Sequence, residues 1–207
     1  TSTTWSRPFG RCGKIAMSCR TLFLEGERLY LRPLEPKDAQ GPYPGWLNDP
    51  EVCRFNSHGR WPSPEGSAAE YIESVRGSRS ALVLAMVLRE DDRHIGNISL
   101  QAIDWIDRSA EFAILLGDRT AWGKGYSKEA AYLICLHGFR ELNLRRIHCG
   151  TSEENIAMQR LAAFMGMEQE GRRRGALFKH GEYRDIWEYG VLREEFFAKF
   201  CEQETKG

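Results

Sequence analysis

Asp118-Arg119-Thr120-Ala121-Trp122-Gly123-Lys124-Gly125-Tyr126-Ser127-Lys128-Glu129-Ala130 is the stretch on which the reading of this chain turns. An apolar, strand-like run, Ser109 to Gly117, leads into it. A helical pattern leaves it, with Ala130, Leu133, Ile134, His137 and Leu142 at helix spacing. The segment therefore reads strand, glycine-rich turn, helix. Gly123 and Gly125 carry no Cβ, so successive backbone N–H groups can converge on one anion. The same groups open a helix, whose N-terminal dipole favours negative charge. Lys124 adds a cation between the glycines, and Ser127 is of the type that caps helix starts. The physical product is a pyrophosphate cradle. A plain strand-to-helix loop is the other reading this stretch alone leaves open.

Upstream, alternation begins at Leu29, with Leu29, Leu31 and Pro33 on one face and Tyr30 and Arg32 on the other, which predicts a first strand. Pro36-Lys37-Asp38 starts an irregular helical region that reaches Trp46-Leu47, and Asn48-Asp49-Pro50-Glu51 reads as a turn with a new helix start. Ser63-Pro64-Glu65 initiates a helix carrying Ala68, Tyr71, Ile72 and Val75 on one side. Ala81–Leu88 is a nearly continuous apolar run and reads as a central strand, followed by a second over Ile95–Ile103 and a third over Ser109–Leu116. Downstream come a strand over Arg146–Thr151, a helix over Asn155–Met165 ended by Gly166, a strand from Met167 and a last strand over Tyr183–Leu192. Leu192, Phe196, Phe197 and Phe200 fall at helical spacing, a stripe that packs on its own domain more readily than on a membrane. Three consecutive strands imply an antiparallel meander, and the later strand-helix-strand implies a parallel, right-handed crossover. The class is α+β: one domain, with a mixed, mostly antiparallel sheet of about seven strands and helices on both faces.

The chain has 207 residues, 29 Lys plus Arg and 29 Asp plus Glu, so its formal net charge is zero. That balance argues against a dedicated nucleic-acid binder. No apolar run is long enough to span a membrane. The six cysteines show no C-x-x-C pair, and Cys135 and Cys149 fall in apolar periodic segments where a reduced, buried thiol is expected. A cytoplasmic location follows as an expectation. The five histidines show no metal spacing, so no metal is expected.

With Trp46-Leu47-Asn48-Asp49-Pro50-Glu51-Val52, His94-Ile95-Gly96-Asn97-Ile98, Ala110-Glu111-Phe112, the glycine stretch, and Asn155 with Gly166-Met167, the chain resembles the GNAT superfamily of acyl-CoA-dependent N-acetyltransferases. It is most similar to the Rim-type branch, which includes ribosomal-protein N-terminal and amino-sugar acetyltransferases. The resemblance covers roughly Leu24 to Glu194 and implies a leader at 1–22, an acyl-CoA N-acyltransferase domain at 23–195 and a tail at 196–207. The leader shows no period and is expected to be poorly ordered.

The resemblance implies that Trp122, Gly123, Lys124, Gly125, Tyr126 and Ser127 hold the pyrophosphate of acetyl-CoA, used as co-substrate. Thr120 stands where the family has Arg or Gln, which leaves the adjacent Arg119 to reach a phosphate. The strand before the loop is implied to splay from its neighbour, freeing backbone groups near Leu115 and Leu116 for the pantetheine arm and the thioester carbonyl. Asn155 matches the family's asparagine near the reacting sulfur, with N-capping of its own helix as the structural alternative. Met158 stands where many relatives have a small or hydroxyl residue, and Ala162 where a general-acid tyrosine often sits.

An amine attacks a thioester only as the free base, and primary amines are largely protonated at neutral pH. Glu111, in an otherwise apolar strand, is partly desolvated and is the candidate base. Trp46, Phe55 and Trp61, and the late loop with His180, Tyr183 and Asp185, are candidates to frame the acceptor, Trp46 and Tyr183 first among them. Arg172-Arg173-Arg174 reads as a solvated turn or as a contact to an acidic acceptor. The expected reaction is acetyl transfer to a small-molecule amine such as an amino-sugar nucleotide. The alternatives are a protein N-terminus as acceptor, or a non-catalytic acyl-CoA sensor. The expected partners exclude nucleic acid and membrane and admit a homodimer.

Overall fold

The computed structural model of the chain describes residues 22–204 except 65, so the leader expectation falls outside the described residues. Eight strands form one sheet: β1 (Leu24–Glu25), β2 (Leu29–Pro33), β3 (Leu82–Leu88), β4 (His94–Asp104), β5 (Ser109–Leu116), β6 (Arg146–Ser152), β7 (Glu168–Lys179) and β8 (Glu182–Leu192). Their order is β1-β2-β3-β4-β5-β6-β8-β7, and every neighbouring pair is antiparallel except β5 and β6. The seven predicted strands are present. The eighth, β1, has two residues paired with Tyr30 and Leu31, too few for a period of two to show.

Five helices flank the sheet: α1 (Tyr43–Asn48), α2 (Ser67–Val75), α3 (Tyr126–Arg140), α4 (Ile156–Met165) and α5 (Arg193–Glu204). Strand alternation sorts them by face. Leu29, Leu31, Met86, Ile98, Leu100 and Phe112 meet Ile134 and Phe139 of α3, Leu161 of α4 and Phe196 of α5 in the main core. The opposite face carries Tyr30, Ala85 and Val87, with α1 and α2 contributing Tyr43, Trp46, Ala68 and Ile72. The predicted Phe196 stripe is thus a core element: α5 runs across the 195/196 division, and Phe196 is wholly buried among Tyr132, Phe139 and Phe200. Cys53, Cys135 and Cys149 are free and buried, and burial pushes the Cys149 thiol up to about 12.

Four local expectations change. Residues after Asn48 continue as turns, with Cys53 N–H donating to the Asp49 carbonyl (2.9 Å), and no helix starts there. Helix α2 begins at Ser67, later than Ser63-Pro64-Glu65, because Gly66 adopts a left-handed φ of 92° and breaks the turn before it. Helix α3 is entered through Gly125 (φ 82°), so Ser127 lies in its first turn and is not the cap. The three arginines form no turn. They lie in β7, where Asp185 and Glu188 of β8 face them and pair with Arg172 and Arg173.

Candidate active site

Strands β5 and β6 pair over three positions only, Ser109 with Arg146, Ala110 with Ile147 and Glu111 with His148. Beyond Glu111 each strand follows its other neighbour, β5 staying on β4 as far as Leu116–Gly96 and β6 staying on β8 as far as Ser152–Ile186. The two therefore part. Backbone N–H and C=O groups of β5 that face β6 past Glu111 have no ladder partner, and a strand leaves such groups open for an extended ligand. The gap opens into a cleft of about 530 Å³ lined on one wall by Ile114, Leu115 and Leu116, and on the other by Asn155, Ala157, Met158 and Leu161.

The glycine stretch closes one end. A 3-10 turn over Arg119–Ala121 is capped by Asp118, whose carboxylate accepts from Thr120 N–H (2.8 Å). The Trp122 indole N–H donates to the Leu116 carbonyl (2.8 Å), which ties the loop to the end of β5. Gly123 (φ 74°) and Gly125 (φ 82°) both take the left-handed conformation that side chains resist. A Cβ on Gly123 would meet nothing within 4 Å, so the backbone there stands open to the cleft. Arg28 staples the helix start from outside: it donates to the Lys124 carbonyl (2.8 Å), to Glu129 Oε2 (2.9 Å), and lies over the Tyr126 ring at 5.0 Å.

On the far wall, Asn155 Oδ1 accepts from Met158 N–H (3.2 Å), so the capping of α4 is real, and the same residue lines the cleft. Arg54, Lys128 and Arg160 supply cations to the lining, and Glu51 is its one carboxylate among the described residues. Among the described residues no tyrosine lines it, and Ala162 is buried.

Of the residues singled out from the sequence, Leu115, Leu116, Trp122, Gly123, Gly125, Ser127 and Asn155 line this one cleft. Lys124 and Tyr126 serve the loop from its outer side, through Arg28. Arg119 turns to the preceding loop and donates to Asp49 Oδ1 (3.2 Å). Glu111 is half-buried at the last paired position, opposite Gln101 and His148, and roughly 13 Å along the strand from Leu115. Alternation puts its side chain on the same face as Leu115. Trp46 is buried, with its ring 5.0 Å from that of His94, and Tyr183 is 71% exposed, its ring tilted against that of Phe178 at 4.8 Å; neither lines the cleft. Phe55 does line it, while Trp61 is exposed. Glu51, Arg54 and Arg160 carry no sequence signal of this proximity, because turns and tertiary packing bring them there.

A buried polar group supports the cleft from behind. The Arg32 guanidinium donates twice to Asp38 (2.7 Å each), Glu35 N–H donates to the same carboxylate (2.8 Å), and His94 Nδ1 lies 3.5 Å from it. Burial alone would raise the Asp38 carboxyl, but the hydrogen bonds from Arg32 and the Glu35 backbone, with the His94 ring close by, outweigh it and hold Asp38 well below the usual carboxylate range. His94 Nε2 contacts Asn97 Oδ1 (2.8 Å), and Asn97 pairs with Leu115 in the sheet. Burial pushes the Tyr43 hydroxyl up to about 12.

Comparison with known proteins agrees with this geometry. The model of the acetyltransferase (GNAT) domain matches residues 28–168. The chain is 30% identical to the uncharacterised N-acetyltransferase p20 of Bacillus licheniformis, over 82% of this chain and 96% of that one. It is 29% identical to the spermidine N(1)-acetyltransferase of Vibrio cholerae over 51% of this chain and 60% of that one. A crystal structure of the V. cholerae spermidine N-acetyltransferase with CoA and spermine superposes with a TM-score of 0.75 at 22% identity, covering 82% of this chain and 98% of that one. Among the described residues, no helix is long and apolar enough to cross a membrane, and no group of three or more His, Cys, Asp or Glu is placed to hold a metal ion.

Proposed function

The chain belongs to the GNAT acetyltransferase family, and from that premise we propose that it moves the acetyl group of acetyl-CoA to the primary amine of a small molecule, such as an amino-sugar nucleotide. The observation that carries this reading is the parting of β5 from β6 past Glu111, directly below a loop of two left-handed glycines at a helix start. Such a site fits the co-substrate. The backbone N–H groups of the loop and the dipole of α3 suit a pyrophosphate, with Lys128 and Arg160 as nearby cations. The unpaired edge of β5 near Leu115 and Leu116 suits the amides of the pantetheine arm, with Asn155 on the opposite wall. Arg119, Trp122, Lys124, Tyr126 and Ser127 complete the proposed holding set, Arg119 only if it releases Asp49.

In this reading the free amine attacks the thioester carbonyl carbon. The C–N bond forms as the C–S bond breaks, the amine proton passes to a base, and the CoA thiolate leaves and is protonated by solvent. A β5 N–H at the open edge is the donor available to the carbonyl oxygen as its negative charge develops. We assign the base to Glu111, supported by its half-buried position at the closed end of the gap and on the Leu115 face. Tyr183 is assigned to the acceptor side from the β7–β8 hairpin, and Trp46 acts through packing behind Leu115.

Calorimetric titration with acetyl-CoA, and in parallel with CoA lacking the 3′-phosphate, tests the reading. Saturable binding is expected, weakened at least tenfold in Gly125→Val, whose β-branched side chain resists the left-handed φ that the loop requires. No binding by the folded protein would overturn it.

A further inference from the structure

A second cavity, of about 200 Å³, lies beside the cleft between the turn region around residue 54 and the β7–β8 hairpin. Arg54 lines both spaces and so joins them. The smaller one is also lined by Ser152, Glu154, Lys179, His180 and Arg184, three fixed cations against one carboxylate. The cations are unequally satisfied. Arg184 is paired with Glu154 (3.3 Å) and Glu182. Lys179 donates to the carbonyls of Cys53, Asn56 (2.7 Å) and His58 (2.9 Å), which hold its ammonium but leave its charge unneutralised. Burial, with a smaller push from Arg60 and against the opposing pull of the Cys53 thiol, holds that ammonium below its ordinary value. Arg54 stacks on Phe55 (5.1 Å) and has no carboxylate partner among the described residues. An exposed Arg54 and a half-buried Lys179, neither paired with a carboxylate among the described residues, leave a positive potential in a space that shares Arg54 with the cleft.

We propose that this cavity is an anion pocket for the acceptor: the amine that is acetylated carries a carboxylate or phosphate group, which the Arg54 guanidinium binds in the positive field of Lys179 and beside Arg184, while the amine faces the cleft. The inference rests on the acetyl-transfer reading and narrows its acceptor. It separates this chain from a polyamine acetyltransferase, because a polyamine would carry a second ammonium into a space already short of negative charge. Arg54 supplies the bidentate fork such an anion favours, and Ser152 and His180 add polar groups to the lining. The enclosed volume suits the acidic group of a small molecule better than a polypeptide segment.

The test uses four small amines of matched size: phosphoethanolamine, β-alanine, ethanolamine and 1,3-diaminopropane. Thiol release from acetyl-CoA is followed for each, and a peptide with an acidic second residue is run beside them. The two anionic amines are expected to exceed ethanolamine and the diamine in kcat/KM by roughly tenfold or more. In Arg54→Gln the ratio of their KM to that of ethanolamine should rise roughly tenfold, a comparison within one variant that cancels any effect on acetyl-CoA. Preference for the diamine or the peptide, or equal use of all, would overturn the inference. If none is turned over, inorganic phosphate is titrated into the CoA-saturated protein. Saturable binding lost in both Arg54→Gln and Arg184→Gln would support the pocket, and no binding would overturn it. Failure to bind acetyl-CoA at all would instead sink the acetyl-transfer reading, so the two failures are distinguishable.

Discussion

Gly117 has no room for a side chain: a Cβ built on it would fall inside the Trp46 indole. The residue just past β5 is thus pressed against α1, and the wall formed by Leu115 and Leu116 is set by that contact. Gly117→Ala should cost about 1–3 kcal/mol in urea unfolding by overpacking, and should weaken acetyl-CoA binding in the same preparation. Glu111 and Glu51 are the two carboxylates to separate. Glu111→Gln is expected to keep acetyl-CoA affinity and lose roughly a hundredfold in kcat, with Glu51→Gln much closer to wild type. The reverse pattern would move the base to Glu51, the carboxylate that lines the cleft. Glu111 is legible in the sequence because it interrupts an apolar strand. Glu51 is not, because a run of turns carries it to the cleft, and turns have no period to read.

Among the elements, the pattern of strands and helices is legible wherever a period is long: β3, β4, β5, β8, α3 and α4 fall within a residue or two of their expected places. Starts are less legible. Helix α3 begins at Tyr126, where Arg28, about a hundred residues earlier in the chain, holds the Lys124 carbonyl and pairs with Glu129 in the first turn. No local rule contains that contact. Asn155 was ambiguous between cap and ligand contact, and the two roles are separable by measurement. If it only caps α4, Asn155→Ala lowers stability by about 1 kcal/mol and leaves the KM for acetyl-CoA alone. We expect that stability loss together with a several-fold rise in KM, since the residue lines the cleft.

At the scale of the molecule, the Arg32–Asp38 pair is the buried charge that joins β2 to the first helical turns under the sheet. Asp38→Asn leaves the buried Arg32 with only the more distant Glu35 carboxylate (3.9 Å) as counter-charge and should cost about 3 kcal/mol, read from the urea midpoint at constant slope. The folded Asp38 carboxyl lies below its unfolded value, so its contribution is complete above about pH 4 and is lost as the pH falls through the folded value. Melting temperature against pH should therefore decline more steeply below pH 4 in the wild type than in a variant with both Arg32 and Asp38 replaced by apolar residues.

By itself the sequence determined the class of the fold, the order of its longer elements, the glycine loop at a helix start and the family, because each is written in local periods, turn chemistry or contiguous motifs. Only the tertiary structure decided where β5 leaves β6, that Trp46 is packed behind the cleft, that Phe196 belongs to the main core, and that Arg54 and Lys179 line one small cavity with no carboxylate partner among the described residues. Each of those depends on which neighbour a strand follows or which distant carbonyl a cation finds. Such pairings are settled by competition between packed surfaces, and no stretch of sequence records the winner.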